Sequence, residues 1–232
     1  MKTIFAAVPI HRSWEMDAKR SFDDLVAWTN TYSNVARFEV CRDLTGISLI
    51  SLARNLFAKF FLESKCDYLF FYDSDIVCYN PEAIDLLVRD NLAIVAGPYV
   101  YKGLPVKPAF RLWSCKICID PENAKKYDLR GEQVILAKYV SSGFMLVKRE
   151  VVVNLCEKNK YPFMPLVNAE GEYLSEDWAF CERAQQSGYD CYLDARVDLG
   201  HLGLYPFTMD NFYNFWIDTD LYKQIKGKEL IV

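Results

Sequence analysis

Short apolar runs alternate with longer amphipathic segments along the first two thirds of the chain, and this alternation constrains the fold more than any other feature. The runs of strand length are residues 3–8, 35–41, 67–72 and 92–96, and the helical segments between them are residues 13–30, 47–62 and 80–87. A strand–helix rhythm of this kind predicts an α/β fold with a mainly parallel sheet covered by helices on both faces. In such sheets, ligands bind beyond the carboxyl ends of the strands.

The remainder of the chain is less regular and predicts a smaller region laid over the sheet. We expect loops and short strands over residues 99–138, a loop at residues 161–173 and a turn at residues 200–203. The later strand candidates are residues 134–140, 144–147 and 190–199, and the later helix candidates begin at residue 149 or span residues 175–187 and 209–225. A chain of 232 residues fits one domain, residues 1–232, with a sizeable core.

Charge and hydropathy exclude two broad classes of protein. The net charge of −4 argues against a protein that binds nucleic-acid backbones, because such proteins usually present a basic face. No stretch approaches the roughly 20 apolar residues of a transmembrane segment. The apolar run in residues 1–10 is short for a signal peptide and suits a first core strand better. We therefore expect a cytoplasmic protein that has no transmembrane segment and does not bind nucleic acid.

The eight cysteines are scattered, and only Cys115 and Cys118 have the C-x-x-C spacing. A structural zinc site would need a second pair or histidines at matched spacing, whereas the chain has only His11 and His201. We expect reduced thiols that contribute to packing, with a zinc site as the alternative.

Asp73 and Asp75 follow a buried strand and are the first candidates for chemistry. In an extended backbone, residues two apart point to the same side, so both carboxylates can face one cation. Hard oxygen ligands suit Mg²⁺ or Mn²⁺ bound to a diphosphate. The alternative is a solvated strand end, since Asp is common in turns. Asp218 and Asp220 have the same spacing in a helical or turn context, so the spacing alone has little specificity.

Glu176 and Asp177 open a predicted helix, where acidic residues complement the helix dipole without any further role. The functional interpretation is that Asp177 is a general base that takes a proton from an attacking hydroxyl. His201 stands in a glycine-flanked segment after a strand, and its imidazole could add a nitrogen ligand to the two carboxylates. Gly143 lies between two strand-like runs and marks either a bulge or a close approach of the backbone to a ligand.

Four stretches occur in order, namely residues 52–55, 70–76, 142–148 and 175–184, and Leu-Gly-His follows at 199–201. This combination, within residues 2–203, resembles the GT-A glycosyltransferases, nearest to the family 2-like and related small viral, phage and bacterial enzymes. The resemblance implies a Rossmann-like sheet with a nucleotide-sugar-binding half at about 1–100. It also implies an acceptor and catalytic half at about 101–205, followed by a helical tail at 206–232.

The resemblance also implies roles for individual residues. Asp75, with Asp73, would bind the metal that bridges the diphosphate of the donor, and His201 would match the late metal-binding histidine of the family. Asp177 would match the acid that serves as catalytic base, with Glu176 beside it. The residues assigned to the nucleotide sugar are Pro9, Asp43, Arg54, Asp73, Ser74 and Gly143. Arg54 is equally consistent with a structural ion pair on a core helix.

The sequence thus predicts a glycosyltransferase that uses Mn²⁺ or Mg²⁺ and moves a sugar from a UDP- or GDP-sugar, with inversion, to a glycan, lipid-linked or protein-linked acceptor. One alternative is a sugar nucleotidyltransferase, although residues 8–12 lack a glycine-rich phosphate loop with lysine. The sequence is also compatible with a non-catalytic module that binds nucleotide sugars and with an adaptor that docks through the aromatic tail.

Overall fold

The alternation of strands and helices is present in a computed structural model, which describes residues 1–113, 115 and 121–218. The helices are α1 Met16–Tyr32, α2 Ile50–Glu63, α3 Ala83–Asp90, α4 Pro121–Ala124, α5 Arg149–Lys158, α6 Glu176–Gln186 and α7 Met209–Tyr213. The strands are β1 Lys2–Ile10, β2 Ala36–Thr45, β3 Tyr68–Tyr72, β4 Ile76–Cys78, β5 Ile94–Ala96, β6 Arg111–Leu112, β7 Val134–Tyr139, β8 Phe144–Lys148, β9 Leu166–Val167, β10 Tyr173–Leu174, β11 Cys191–Asp194, β12 Leu199–Leu202 and β13 Pro206–Thr208.

Eight strands form the central sheet in the order β2-β1-β3-β8-β5-β11-β7-β6. Strands β2, β1, β3, β5 and β11 run parallel to one another, whereas β8 is inserted antiparallel between β3 and β5. The mostly parallel α/β sheet predicted from the sequence is therefore confirmed. Nearly all residues of β1 are apolar, and since side chains alternate across a strand, they cover both faces of the sheet. Phe5 and Ala7 enter one core cluster, and Ile4, Ala6 and Val8 enter the other.

A small second sheet, in the order β13-β12-β4, lies beside the end of β3. The single strand predicted for residues 190–199 is wrong, because the chain forms β11 and β12 with a break at residues 195–198. The turn predicted around His201 is also wrong, because His201 lies within β12 and pairs with Ile76 of β4. The edge of β4 supplies the hydrogen-bonding partners that make this segment a strand, and the local sequence does not reveal that edge.

Several helix boundaries differ from the prediction by two or three residues. Helix α1 begins at Met16 after Glu15, so Ser13 is not its cap. Helix α3 begins three residues after Asn80 and ends at Asp90, where Asn91 adopts the left-handed conformation with φ of 54°. The loop predicted for residues 161–173 contains a short hairpin of β9 and β10.

The described part of the aromatic tail packs into the core. Phe212, Tyr213 and Trp216 are buried, and Trp216 Nε1 donates a hydrogen bond to Val106 O at 2.6 Å. After α7 the chain continues as a π-helix over Asn214–Asp218, and the rest of the predicted helix 209–225, together with Asp220, lies outside the described residues.

The structure describes most of the cysteines and all of the helices listed above. Cys41, Cys66, Cys78, Cys156, Cys181 and Cys191 are free thiols, and Cys118 lies outside the described residues. Among the helices that the structure describes, none has both the length and the apolar character needed to cross a bilayer.

Candidate active site

The corner between β3 and β4 carries the paired aspartates at the carboxyl end of a central strand, as the sequence predicts. The N–H of Asp73 donates to the carbonyl of Gly143 at 2.9 Å, which extends the pairing of β3 with β8 by one step. The N–H of Ile76 donates to the carbonyl of Asp73 at 3.0 Å and closes the turn into β4. Backbone hydrogen bonds therefore fix the positions from which Asp73 and Asp75 project.

Asp73 is held by a buried arginine from α2. Arg54 is 3% exposed, and its Nη2 lies 3.0 Å from both carboxylate oxygens of Asp73. Its Nε lies 3.4 Å from Oε1 of Glu176 on α6. Burial raises the pKa of Asp73 above its ordinary value, and the charge of Arg54 only partly offsets this effect. Burial opposes the charge on Arg54, but the carboxylates of Asp73 and Glu176 outweigh burial and raise the pKa of the guanidinium.

Asp75 is surrounded by different partners. The N–H of Leu202 donates to the carbonyl of Asp75 at 2.7 Å, and His201 Nε2 lies 3.6 Å from Asp75 Oδ2. The ammonium group of Lys102 donates to the same oxygen. Burial raises the pKa of Asp75, but His201 and Lys102 together lower it to about 2. Asp75 is therefore ionised at every physiological pH.

The arrangement of His201 suits a cation ligand. Its Nδ1 lies 2.9 Å from the carbonyl of Val100, which can only accept, so the ring proton is assigned to Nδ1. Nε2 then faces the Asp75 carboxylate, to which it donates when the ring carries both protons; in the neutral ring its lone pair is available to a cation beside Asp75. One carboxylate oxygen and one imidazole nitrogen form a donor set that accepts Mn²⁺ readily.

The three metal ligands predicted from the sequence do not form one cluster. Asp75 and His201 lie together, whereas both oxygens of Asp73 contact Arg54. Within residues 1–113, 115 and 121–218, no group of three or more His, Cys, Asp or Glu side chains is arranged to hold a metal ion. Of the three residues predicted as ligands, only Asp75 and His201 therefore lie side by side in the described part of the chain.

Gly143 and Tyr99 connect the two aspartate environments. The N–H of Gly143 donates to Tyr99 Oη at 3.1 Å, and the Tyr99 ring meets the His201 ring edge to face at 5.3 Å. A Cβ at position 143 would lie 2.5 Å from Tyr99 Oη and 3.1 Å from Asp73 Oδ2, so only glycine fits. Sequence reasoning missed Tyr99, although it follows Gly97-Pro98 at the carboxyl end of β5, where ligand-binding residues are expected.

Asp177 lies in the first turn of α6, and one of its carboxylate oxygens already accepts hydrogen bonds from the protein. Its Oδ1 accepts from the Ser175 hydroxyl and from the Trp178 N–H, the latter at 2.8 Å. Among the described residues, none hydrogen-bonds to Oδ2. Burial first and then the charge of Asp73 raise the pKa of Tyr99, and the charge of Asp177 acts in the same direction.

A cavity of about 360 Å³ opens beside the aspartate corner. Its lining includes Pro9, Ser74, Asp73 and Asp75, all predicted from the sequence, and also residues that the sequence did not single out, namely Ile10, His11, Ile47, Ser48 and Ile50. These residues lie at or just after the end of β1, or at or just before the start of α2, and this position at the same edge of the sheet is the signal that could have identified them. Asp43 is not among the lining residues, because it stands on β2 opposite Val8 and is exposed to solvent.

Comparison with known protein sequences gives distant similarity. No family model matches the chain. The chain is 25% identical over 173 residues to procollagen-lysine,2-oxoglutarate 5-dioxygenase 1 of Gallus gallus, a match that covers 72% of this chain and 22% of that protein. It is also 25% identical over 160 residues to procollagen-lysine,2-oxoglutarate 5-dioxygenase 2 of Homo sapiens, covering 65% and 20% respectively. The chain thus spans about a fifth of the length of these curated relatives.

Two solved structures share the fold. A197 from STIV superposes with a TM-score of 0.56 and 21% identity over 88% of this chain and 86% of that one. GalNAc-T7, solved with UDP, GalNAc and Mn²⁺, superposes with a TM-score of 0.53 and 9% identity over 87% of this chain and 43% of that one. The chain therefore has a glycosyltransferase-like α/β fold of the GT-A type, and at these identities the likeness concerns the fold.

Proposed function

We propose that the chain is a metal-dependent glycosyltransferase that moves a sugar from a nucleoside diphosphate sugar to an acceptor hydroxyl. One observation carries the proposal: Asp75 and His201, 126 positions apart in sequence, meet at the ligand-binding edge of the sheet, beside a cavity of about 360 Å³. The UDP, GalNAc and Mn²⁺ bound in the structural relative GalNAc-T7 support a ligand of this class in the same fold.

On the donor side, Asp75 and His201 would hold Mn²⁺ or Mg²⁺. A divalent cation there supplies positive charge that offsets the charge developing on the leaving diphosphate. Pro9 and Ser74 line the adjoining cavity, where the nucleotide would bind. Lys102, whose side chain is 37% exposed, has room to move from Asp75 towards a phosphate oxygen and so add a second positive charge.

Asp73 and Glu176 have positioning roles in this proposal. Arg54 of α2 contacts both Asp73, which follows β3, and Glu176 of α6. Its burial leaves little access for a ligand. This contact pattern favours the structural role of Arg54 over direct contact with donor phosphates. It also favours an ion-pair role for Glu176 over catalysis, because its carboxylate faces the guanidinium.

On the acceptor side, Asp177 would be the general base. The Ser175 hydroxyl and the Trp178 N–H hold Oδ1, which fixes the plane of the carboxylate and leaves Oδ2 for an incoming hydroxyl. Proton removal as the hydroxyl attacks would give single displacement with inversion at the sugar carbon. The anomeric configuration of the product tests this part of the mechanism.

The test of the proposed function is donor binding with and without a divalent cation. UDP- and GDP-sugars are titrated calorimetrically into the wild-type protein in Mn²⁺ and in EDTA, and donor hydrolysis or transfer is followed by release of the nucleoside diphosphate. The Asp75→Ala variant should lose the Mn²⁺-dependent part of binding. Asp43→Ala, which removes an exposed aspartate outside the cavity, should behave as wild type.

Three outcomes contradict the proposal in different ways. Equal donor binding by the wild type in Mn²⁺ and in EDTA would show that donor binding does not depend on a metal ion. Release of pyrophosphate from a nucleoside triphosphate and a sugar phosphate indicates a nucleotidyltransferase. Donor binding without hydrolysis or transfer to any acceptor tested indicates a non-catalytic module.

A further inference from the structure

A second, smaller cavity lies beside the first turn of α6, which carries Asp177. Its volume is about 230 Å³, and its walls include Tyr101, Lys107, Tyr173, Ser175 and Trp178. The remaining lining residues, Pro108 and Phe110, are apolar, so four of the seven are aromatic, and the polar groups are the hydroxyls of Ser175, Tyr101 and Tyr173 and the ammonium group of Lys107. Such a lining combines broad apolar faces with a few hydrogen-bonding groups, which is the composition of a small-molecule site.

The cavity is connected to the proposed general base through direct hydrogen bonds. Ser175, which lines the cavity, donates its hydroxyl to Asp177 Oδ1, and Trp178, which also lines it, donates its backbone N–H to the same atom. Tyr101 lies near the same acids, since its pKa is raised by burial first and then by the charges of Asp177 and Glu176. A molecule in this cavity would therefore lie next to the carboxylate that the proposed reaction needs.

Two contacts support the walls of the cavity, and the rings of Tyr101 and Tyr173 are open to solvent. Tyr173 is 71% exposed and sits on β10, whose neighbour Glu172 forms an ion pair with Arg111 at 3.0 Å. The Trp178 ring stacks on Tyr139 with a centroid distance of 5.0 Å. Aromatic rings that stay exposed on a fixed scaffold are available for contact with a ligand at little cost in conformational entropy.

We propose that this cavity is an acceptor subsite that binds one sugar ring of a carbohydrate, with the reacting hydroxyl directed towards Asp177. The inference rests on the proposed glycosyltransferase function. A volume of 230 Å³ is below the roughly 300 Å³ at which sites for drug-sized ligands begin, so it accommodates a single ring. The C–H faces of a sugar pack on aromatic rings while its hydroxyls bond to Ser175 and Lys107. A lipid chain would need a continuous apolar lining, which these two polar side chains interrupt.

The test uses the methyl glycosides of glucose, galactose, mannose and N-acetylglucosamine as probes. Their binding is measured by saturation-transfer NMR on the full chain, with wild type, Tyr173→Ala and Tyr173→Phe. At least one glycoside should bind the wild type, and Tyr173→Ala should weaken that binding about two- to tenfold through loss of ring contacts. Tyr173→Phe should retain it, because the ring remains.

A matched control is available in Tyr32, which is 72% exposed at the end of α1. Tyr32→Ala removes the same exposed ring from another surface and should leave glycoside binding unchanged. Because Tyr173 is largely exposed, its replacement should leave the thermal unfolding midpoint close to wild type, which checks that the variant is folded. UDP- and GDP-sugar binding is measured on every variant by calorimetry and should match wild type.

The outcomes separate this inference from the proposed function. If nucleotide sugars bind but none of the glycosides does, or if Tyr173→Ala binds glycosides as well as the wild type, the subsite is refuted and the donor site stands. If glycosides bind in a Tyr173-dependent manner but no nucleotide sugar binds, the proposed function fails while the cavity remains a carbohydrate site.

Discussion

Replacing Arg54 with methionine tests whether the buried guanidinium is required to hold the aspartate corner and the start of α6 together. Methionine keeps an unbranched apolar stem in the core but removes the charge that Asp73 and Glu176 share. These carboxylates are only 24% and 14% exposed, so water can compensate for little of the loss. The variant therefore leaves two poorly solvated negative charges next to each other.

The magnitude follows from the burial of the pair. Removing one partner of a buried ion pair costs about 3–5 kcal/mol. The partial exposure of Asp73 places the expected loss near the lower end, about 3 kcal/mol. For a chain of this size, each kcal/mol lowers the unfolding temperature by about 2–4 °C, so a drop of about 6–12 °C is expected.

The assay is equilibrium unfolding in urea, with thermal unfolding as a second measurement. Arg20→Met is the matched control, since Arg20 of α1 is 71% exposed and pairs with the equally exposed Asp17 at 3.9 Å, a surface ion pair worth about 0–1 kcal/mol. The double variant Arg54→Met/Asp73→Asn should lose less stability than Arg54→Met alone, because it no longer contains the unpaired, poorly solvated carboxylate of Asp73. The slope of the transition should stay unchanged in all of them.

One result would refute the reasoning. If Arg54→Met lost no more stability than Arg20→Met, the guanidinium would contribute no more than a surface charge, and its place in the site would need another explanation. A double variant as unstable as the sum of both single variants would show that Arg54 and Asp73 do not act as a pair.

Two further predictions concern catalysis and pH. Asp177→Asn should lower turnover about 10²- to 10⁴-fold, as expected for loss of a general base, while calorimetry shows unchanged donor and Mn²⁺ binding; full activity would remove Asp177 from that role. Burial raises the pKa of Asp67, but the hydrogen bonds from Thr3 and the charge of Lys2 outweigh this effect. The net result is a pKa below the usual 3.8. The stability that Asp67 contributes is therefore complete above about pH 4 and lost as the pH falls through the lowered value. Asp67→Asn should be less stable than wild type at pH 7, with a difference in urea unfolding that shrinks below pH 4; a difference independent of pH would contradict this assignment.

The sequence predicts the parts of the site that depend on local pattern. Asp73 and Asp75 follow a run of apolar residues long enough for a buried strand, and Pro9 ends another, so their shared sheet edge follows from the parallel arrangement. The confirmed fold class has the same origin, because strand and helix periodicity are local properties.

Contacts between distant segments could not be predicted in the same way. His201 was expected in a turn, but three residues of β12 pair with β4, and so short a ladder leaves no periodic signal. The pairing of Arg54 with Asp73 depends on how α2 packs across the sheet, which the helical pattern does not specify. Lys102 has no distinguishing sequence context, and only the packed chain brings it to Asp75.

The glycine beside His201 has a consequence for how β12 can align with its neighbour. A Cβ at Gly200 would lie 2.5 Å from the Tyr79 hydroxyl, so a side chain there would require the half-exposed Tyr79 ring to move. Sliding β12 by one residue along β4 would bring the bulky neighbours of Gly200 against Tyr79 and turn the imidazole to the opposite side. The glycine and the tyrosine thus favour the observed alignment of the two strands, in which the imidazole faces Asp75.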